Sequence, residues 1–358
     1  MMKKLILSFI MGTLFFCYNI SLADVEFAEG SYAEVLDKAK QENKIVMIDF
    51  VTDWCKWCVE TDRKVYTNSD VYAFANENQI NWKIDAEKGE GPELAKKYGV
   101  KGFPTIIFTQ PNGTEIDRIY GYLPAEQFLL KMKEYHTGIN TYGSLKSAVE
   151  ANPEDPAANY NYADKVVSNG LEGDPKPYLN KTISIDPDNS AGYTDDAKFL
   201  LAYLNEDEKA LSAALKDYPS SNKAKDGYMN LANFYAGMPD FKRAKEIYKE
   251  AFKNFGSNDF DLKQGYGGLL LNEAYTVTKD ENSTETLRNE AISTLEESLT
   301  YVEGTVNEAS AYYIMSDLYL QNKDYQKAEQ CIDKSIVIYD KKSYRDQKTK
   351  IDSLKASK

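Results

Sequence analysis

Histidine is almost absent: His136 is the one copy among 358 residues. That excludes histidine-rich metal sites and argues against a Ser-His-Asp hydrolase. Cysteine is scarce as well, four in all, too few for a disulfide scaffold in a chain this long. Positive charge is outnumbered. The 43 lysines and arginines face 56 acids, for a net charge of -13. So acidic a chain suits neither a phosphate backbone nor an anionic membrane surface, which excludes nucleic acid as a partner. Beyond the first residues no run is long and apolar enough to span a bilayer. What is present is ordinary globular material, 42% hydrophobic and 28% charged, enough for two domains, with an excess of 27 tyrosines.

Lys3 and Lys4 precede an apolar run from Leu5 to Cys17, and Ser21-Leu22-Ala23 places small residues as a cleavage site would. This is the pattern of a secretory signal over 1–23, with export to the periplasm or another extracytoplasmic compartment. The alternatives are an uncleaved anchor or a lipid anchor at Cys17. Bulky Leu14-Phe15-Phe16 speaks against the last.

Residues 24–138 alternate helix and strand patterns, which indicates an α/β sheet. Helices are expected over Tyr32–Asn43, Asp70–Asn78, Gly91–Tyr98 and Pro124–Tyr135. Strands are expected over Ile45–Phe50, Ile80–Asp85, Thr105–Phe108 and Glu115–Tyr120, with Asn112-Gly113 as a hairpin turn.

Cys55 and Cys58 stand three apart after the first strand. On the first turn of a helix they can close a small disulfide loop. The free N–H groups and dipole of a helix start stabilise a thiolate on Cys55, making it the attacking sulfur. Cys58, one turn in and more buried, is then the resolving sulfur. Lys56 adds positive charge and tunes the Cys55 pKa, and Trp57 beside it is a second tuning candidate. A zinc site fails on ligand count, so no metal is expected. A purely structural bridge gains little from so short a loop. Gly102-Phe103-Pro104-Thr105 before a strand reads by itself only as a turn or strand entry.

Three segments together resemble the thioredoxin family: Asp49-Phe50-x-x-x-Trp54-Cys55-x-x-Cys58, then Tyr98-Gly99-Val100-x-Gly102-x-Pro104-Thr105, then Asn112-Gly113 with Gly121. The likeness covers about a third of the chain. It implies a cis Phe103–Pro104 bond packed on the cysteine pair. It also implies a substrate peptide held at Trp54, Phe103 and Pro104, and a buried Asp49 that moves the Cys58 proton. The last role has a physical basis, since a buried carboxyl titrates nearer neutrality. The chain departs from the family where Lys56-Trp57 replaces Gly-Pro between the cysteines. The lysine that often pairs with the buried acid would align with Asn81. Lys83, on the same strand face, can take its place. The Trp-Cys-x-Trp-Cys form looks like an exported, thioredoxin-like subgroup.

After a linker at Gly138–Gly143, strand signals vanish over 139–345. Tyr228, Leu231, Ala232, Tyr235, Phe241, Ala244, Tyr248 and Ala251 form a pattern. Tyr312, Met315, Ser316, Tyr319, Tyr325, Ala328, Ile332 and Ser335 repeat it 84 residues later. Leu271, Tyr275, Ala291, Leu295 and Ser298 make a third copy, stretched by a polar loop at Lys279–Thr286. Two weaker copies end at Pro187 and Pro219. The spacing resembles tetratricopeptide repeats, whose concave face binds a peptide or protein. Residues 346–358 read as a charged tail, Cys331 as a buried small residue and His136 as solvated.

The fold expected is therefore two-domain, an α/β thioredoxin fold followed by an all-α tetratricopeptide-like array. The function expected is an exported thiol–disulfide oxidoreductase acting on protein thiols and disulfides with a redox partner protein. It needs no cofactor beyond a redox-active Cys55–Cys58 disulfide. Lys56 and the helix dipole favour the reduced form and so an oxidant. The resemblance to exported relatives leans toward a reductase. The alternative is an envelope scaffold in which the repeats carry the function and the first domain is a binding module.

Overall fold

The computed structural model describes residues 24–356. The expected signal segment lies outside them. Among the described residues the first domain holds one four-stranded sheet, ordered β2-β1-β3-β4. β1 (Ile45–Val51) pairs parallel with β2 (Gln79–Asp85) and antiparallel with β3 (Thr105–Thr109), which pairs antiparallel with β4 (Glu115–Tyr120). Its helices are α1 (Tyr32–Glu42), α2 (Lys56–Lys64), α3 (Ser69–Asn78), α4 (Gly91–Lys97) and α5 (Ala125–Thr137).

The sheet is covered on both faces, which is why β1 reads as an apolar run broken only by Asp49 and β3 carries Ile106-Ile107-Phe108 between two threonines. Val46, Ile48 and Phe50 pack with Val35 and Ala39 of α1 and Leu94 of α4. Met47, Ile106 and Phe108 pack on the other side with Val71 and Ala75 of α3 and Phe128 and Met132 of α5. Asp49 falls on this second face by strand alternation. Gly113 is fixed in the hairpin by sterics. Its φ is +81°, and a Cβ there would come 2.4 Å from the Tyr32 hydroxyl.

A short turn leads from α5 into α6 (Tyr142–Ala151) and then, among the described residues, five helix pairs. These are α7 (Pro156–Ser168) with α8 (Lys176–Ile185), α9 (Thr194–Leu204) with α10 (Glu208–Asp217), and α11 (Ala224–Gly237) with α12 (Phe241–Phe255). They continue as α13 (Phe260–Lys279) with α14 (Glu285–Val302) and α15 (Val306–Gln321) with α16 (Tyr325–Ile338). Small residues stand at the crossings: Ala232, Ala244, Ser316 and Ala328 are all 0% exposed. Tyrosines fill the spaces around them, as Tyr248, Tyr266 and Tyr301 do between α12, α13 and α14. Successive first helices, α9 to α15, also pack on one another, as neighbours on the inner side of a curved stack do.

Three expectations change. The polar insertion in the third copy lengthens α13 and α14, leaving only 280–284 as loop. The charged segment 346–356 is no tail. It belongs to α17 (Lys342–Ala356), whose Tyr344 and Ile351 are buried against Ala328 and Ile332 of α16. His136 is half-buried, its Nε2 2.9 Å from Gln79 Oε1 and its ring edge-on to Phe74, and burial lowers its pKa.

Candidate active site

The apolar run of β1 ends at Val51, and the chain turns into α2 with Cys55 as its N-cap. The Cys58 N–H donates to Cys55 Sγ at 3.0 Å, so Cys55 takes the place a serine or aspartate oxygen usually holds at a helix start. The two sulfurs form a disulfide. Both cysteines are 4% exposed, so Cys58 is not the more buried of the two.

Asp49 is 1% exposed. Burial pushes its carboxyl up to about 6, against the lowering charge of Lys83. Lys83 stands opposite it across the β1–β2 pairing, Nζ 3.6 Å from Asp49 Oδ2, and also bonds Asp62 of α2. One lysine thus ties the buried acid to the helix that carries Cys58. Its ammonium lies 4.5 Å from the Phe27 ring centre and 5.1 Å from that of Tyr66. Burial and then the Asp49 charge raise the Tyr66 hydroxyl well above its usual range.

Phe103–Pro104 is a cis peptide bond. The Phe103 ring meets Trp54 edge-on at 5.6 Å, which joins this loop to the cysteine motif. Trp54 is 62% exposed, its indole N–H donating to Glu87 Oε1 at 3.1 Å. Pro104 is buried, and its carbonyl accepts from Gly121.

Lys56 and Trp57 meet the second domain. Lys56 Nζ donates to Asn307 Oδ1 at 2.7 Å, at the start of α15. Burial, then the charge of Lys341, lower the Lys56 pKa. The Trp57 ring meets Tyr122 at a tilt, centres 5.4 Å apart, and Tyr122 lies 6.3 Å from Phe260. Met229 and Gln264 line the same pocket of about 370 Å³. Sequence reasoning missed Asn307, Phe260, Tyr66 and Asp62. Only Asp62 left a signal, four residues past Cys58 on one helix face. Cys331 of α16, 8% exposed, sits in a core shared with α13, α14 and α15, and burial pushes its thiol up to about 11. Among the described residues no group of three or more His, Cys, Asp or Glu is placed to hold a metal.

Residues 32–136 match the family model of the thioredoxin-like domain, and residues 226–254 and 309–340 match that of the tetratricopeptide repeat. The first domain belongs to the thioredoxin-like family, and the helical stack carries tetratricopeptide repeats. The chain is 30% identical over 104 residues to the disulfide bond reductase DsbH of Chlamydia pneumoniae, covering 26% of this chain and 62% of that protein. It is 35% identical over 94 residues to the thiol:disulfide interchange protein DsbD of Yersinia pestis, covering 25% of this chain and 16% of that one. It thus spans less than two thirds of the length of these relatives. A thioredoxin from Thermus thermophilus, solved in solution, aligns at 25% identity over 31% of this chain and 86% of that one, with a TM-score of 0.29. Among the described residues no helix is long and apolar enough to cross a membrane.

Proposed function

We propose that this chain is a thiol–disulfide oxidoreductase that reduces protein disulfides outside the cytoplasm. The observation that carries the reading is the Cys58 N–H aimed at Cys55 Sγ at the start of α2, a donor that stabilises a Cys55 thiolate. In the reduced chain that thiolate attacks one sulfur of a substrate disulfide. The substrate S–S bond breaks, a mixed disulfide with Cys55 forms, and the released thiolate takes a proton from water. Cys58 passes its proton to Asp49 and attacks Cys55. The second substrate thiolate leaves and is protonated, and the Cys55–Cys58 disulfide closes. The substrate gains two electrons and two protons. A partner protein dithiol restores the chain by the reverse exchange, and no cofactor enters.

Trp54, Phe103 and Pro104 hold the substrate segment. Lys56 and Trp57 set the character of the attacking sulfur. The direction is supported by the relative named as a disulfide bond reductase, and the compartment by the signal pattern in the sequence. The test is trapping. A Cys58→Ser chain, expressed with its N-terminal segment, should accumulate adducts on Cys55 that vanish with dithiothreitol. A folded, exported variant that forms none overturns the proposal.

A further inference from the structure

We infer that the repeat stack is the specificity wall of the cysteine site: it closes the Lys56–Trp57 side, so that partners reach Cys55 only over the Trp54–Phe103 edge. This rests on the oxidoreductase reading for its consequence and on geometry for its existence. Contacts run along α2 from its first residue to its second turn. Lys56 bonds Asn307, and Arg63 Nη1 donates to the Ile338 carbonyl at 3.2 Å. Asn307 is itself held in place. It is 4% exposed, and its amide donates to Gln264 Oε1 at 3.2 Å, while Gln264 donates to the Tyr301 carbonyl at 3.1 Å. The wall is thus a hydrogen-bonded assembly of α13, α14 and α15, not a loose side-chain touch.

On the far side of the cysteines the picture reverses. Trp54 is 62% exposed, and its contacts stay within the first domain, with Phe103 and Glu87. The first helices α7, α11, α13 and α15 touch the first domain, and so do α6, through the Tyr142 N–H on Asp117, and the end of α16 at Ile338. The first domain is thus seated against several first helices and against the α16 end of the stack. Exchange rates depend on access to the attacking sulfur. A small disulfide, or one on an extended segment, can reach Cys55 from the open edge. A disulfide set in a broad folded surface meets the wall first.

The test uses full chains with Cys331→Ser, reduced, and two maleimides: N-ethylmaleimide and a maleimide on a short linker from a compact folded protein. Each rate at Cys55 is divided by the same reagent's rate with glutathione. The folded carrier should be slower by about tenfold or more, because access enters the rate directly. Phe260→Ala with Asn307→Ala should bring the two rates within about twofold. Gln264→Ala with Arg63→Ala is a second opening variant, should the first not fold. Equal rates in the parent chain, or a large ratio that persists in a folded opening variant, overturn the wall. The same reduced chain is offered hydroxyethyl disulfide. No exchange there, with the size ratio intact, removes the oxidoreductase reading and leaves the wall standing.

Discussion

Lys83 stands beside Asp49 across two paired strands, 3.6 Å from its carboxylate, yet does not keep that acid in the ordinary carboxyl range. Two reasons decide it. Asp49 is almost wholly removed from water, and Lys83 is shared with Asp62, whose charge opposes ionisation of Asp49. The acid therefore titrates at about 6 and can trade a proton with a thiol near neutrality.

The folded Asp49 value lies above the ordinary 3.8, so the folded chain holds this proton more tightly than the unfolded one. The associated stability is full below 3.8 and is lost as pH rises through about 6. Its size is about 3 kcal/mol. Asp49→Asn should flatten denaturant stability across that window and be the more stable chain near neutral pH. It should also erase the inflexion near 6 in the pH profile of mixed-disulfide resolution.

Lys83→Met should move that inflexion up. The lysine charge is the largest influence lowering the Asp49 value, and without it only the Tyr66 hydroxyl opposes burial and Asp62. Resolution by Cys58 should then slow at low pH, while the first attack by Cys55 changes little. Stopped-flow measurement of the two steps against pH separates them.

Both domains were legible because their signals are local. A strand with five apolar residues around one acid, a turn, a cysteine pair and a helix follow one another within 45–64. Repeats announce themselves by spacing, and Ala232 and Ser316 proved to be the crossing points that their small size demands. What stayed hidden depends on where distant chain segments land. Asn307 meets Lys56 across 251 residues, and nothing near either one marks the other. The last helix was missed for another reason. Lysines and aspartates dominate it, and its buried stripe at Tyr344, Gln347 and Ile351 is thin.

Asp117 is another such long-range residue, and its prediction is asymmetric. The carboxylate is 0% exposed and collects Lys165 Nζ at 2.9 Å, Asn169 Nδ2 at 2.8 Å, and the backbone N–H groups of Tyr142 at 3.0 Å and Arg118 at 2.7 Å. It clamps β4 to α6 and α7. Asp117→Ala strands a buried ammonium and should cost about 3–5 kcal/mol. Lys165→Met leaves the acid three donors and should cost less. Urea unfolding of both variants tests the order; small and equal losses, as for an exposed pair, would show that no buried clamp exists.

Ser316 tests the repeat core. Its hydroxyl donates to the Ala328 carbonyl at 2.8 Å and accepts from Gln347 Nε2 at 3.1 Å, joining α15, α16 and α17 at a point 0% exposed to solvent. Ser316→Ala keeps the small volume but takes the acceptor from a buried amide, so it should cost about 1–3 kcal/mol. Ser316→Leu forces extra carbon into a close crossing and should cost at least as much, about 1–3 kcal/mol or more. The two differ in where the damage goes. The alanine variant should loosen α17 first, seen as faster amide exchange over 342–356. The leucine variant should spread α15 from α16 and weaken both. If the alanine variant leaves exchange in α17 unchanged, the Gln347 contact is not what holds the last helix, and the apolar burial of Tyr344 and Ile351 suffices.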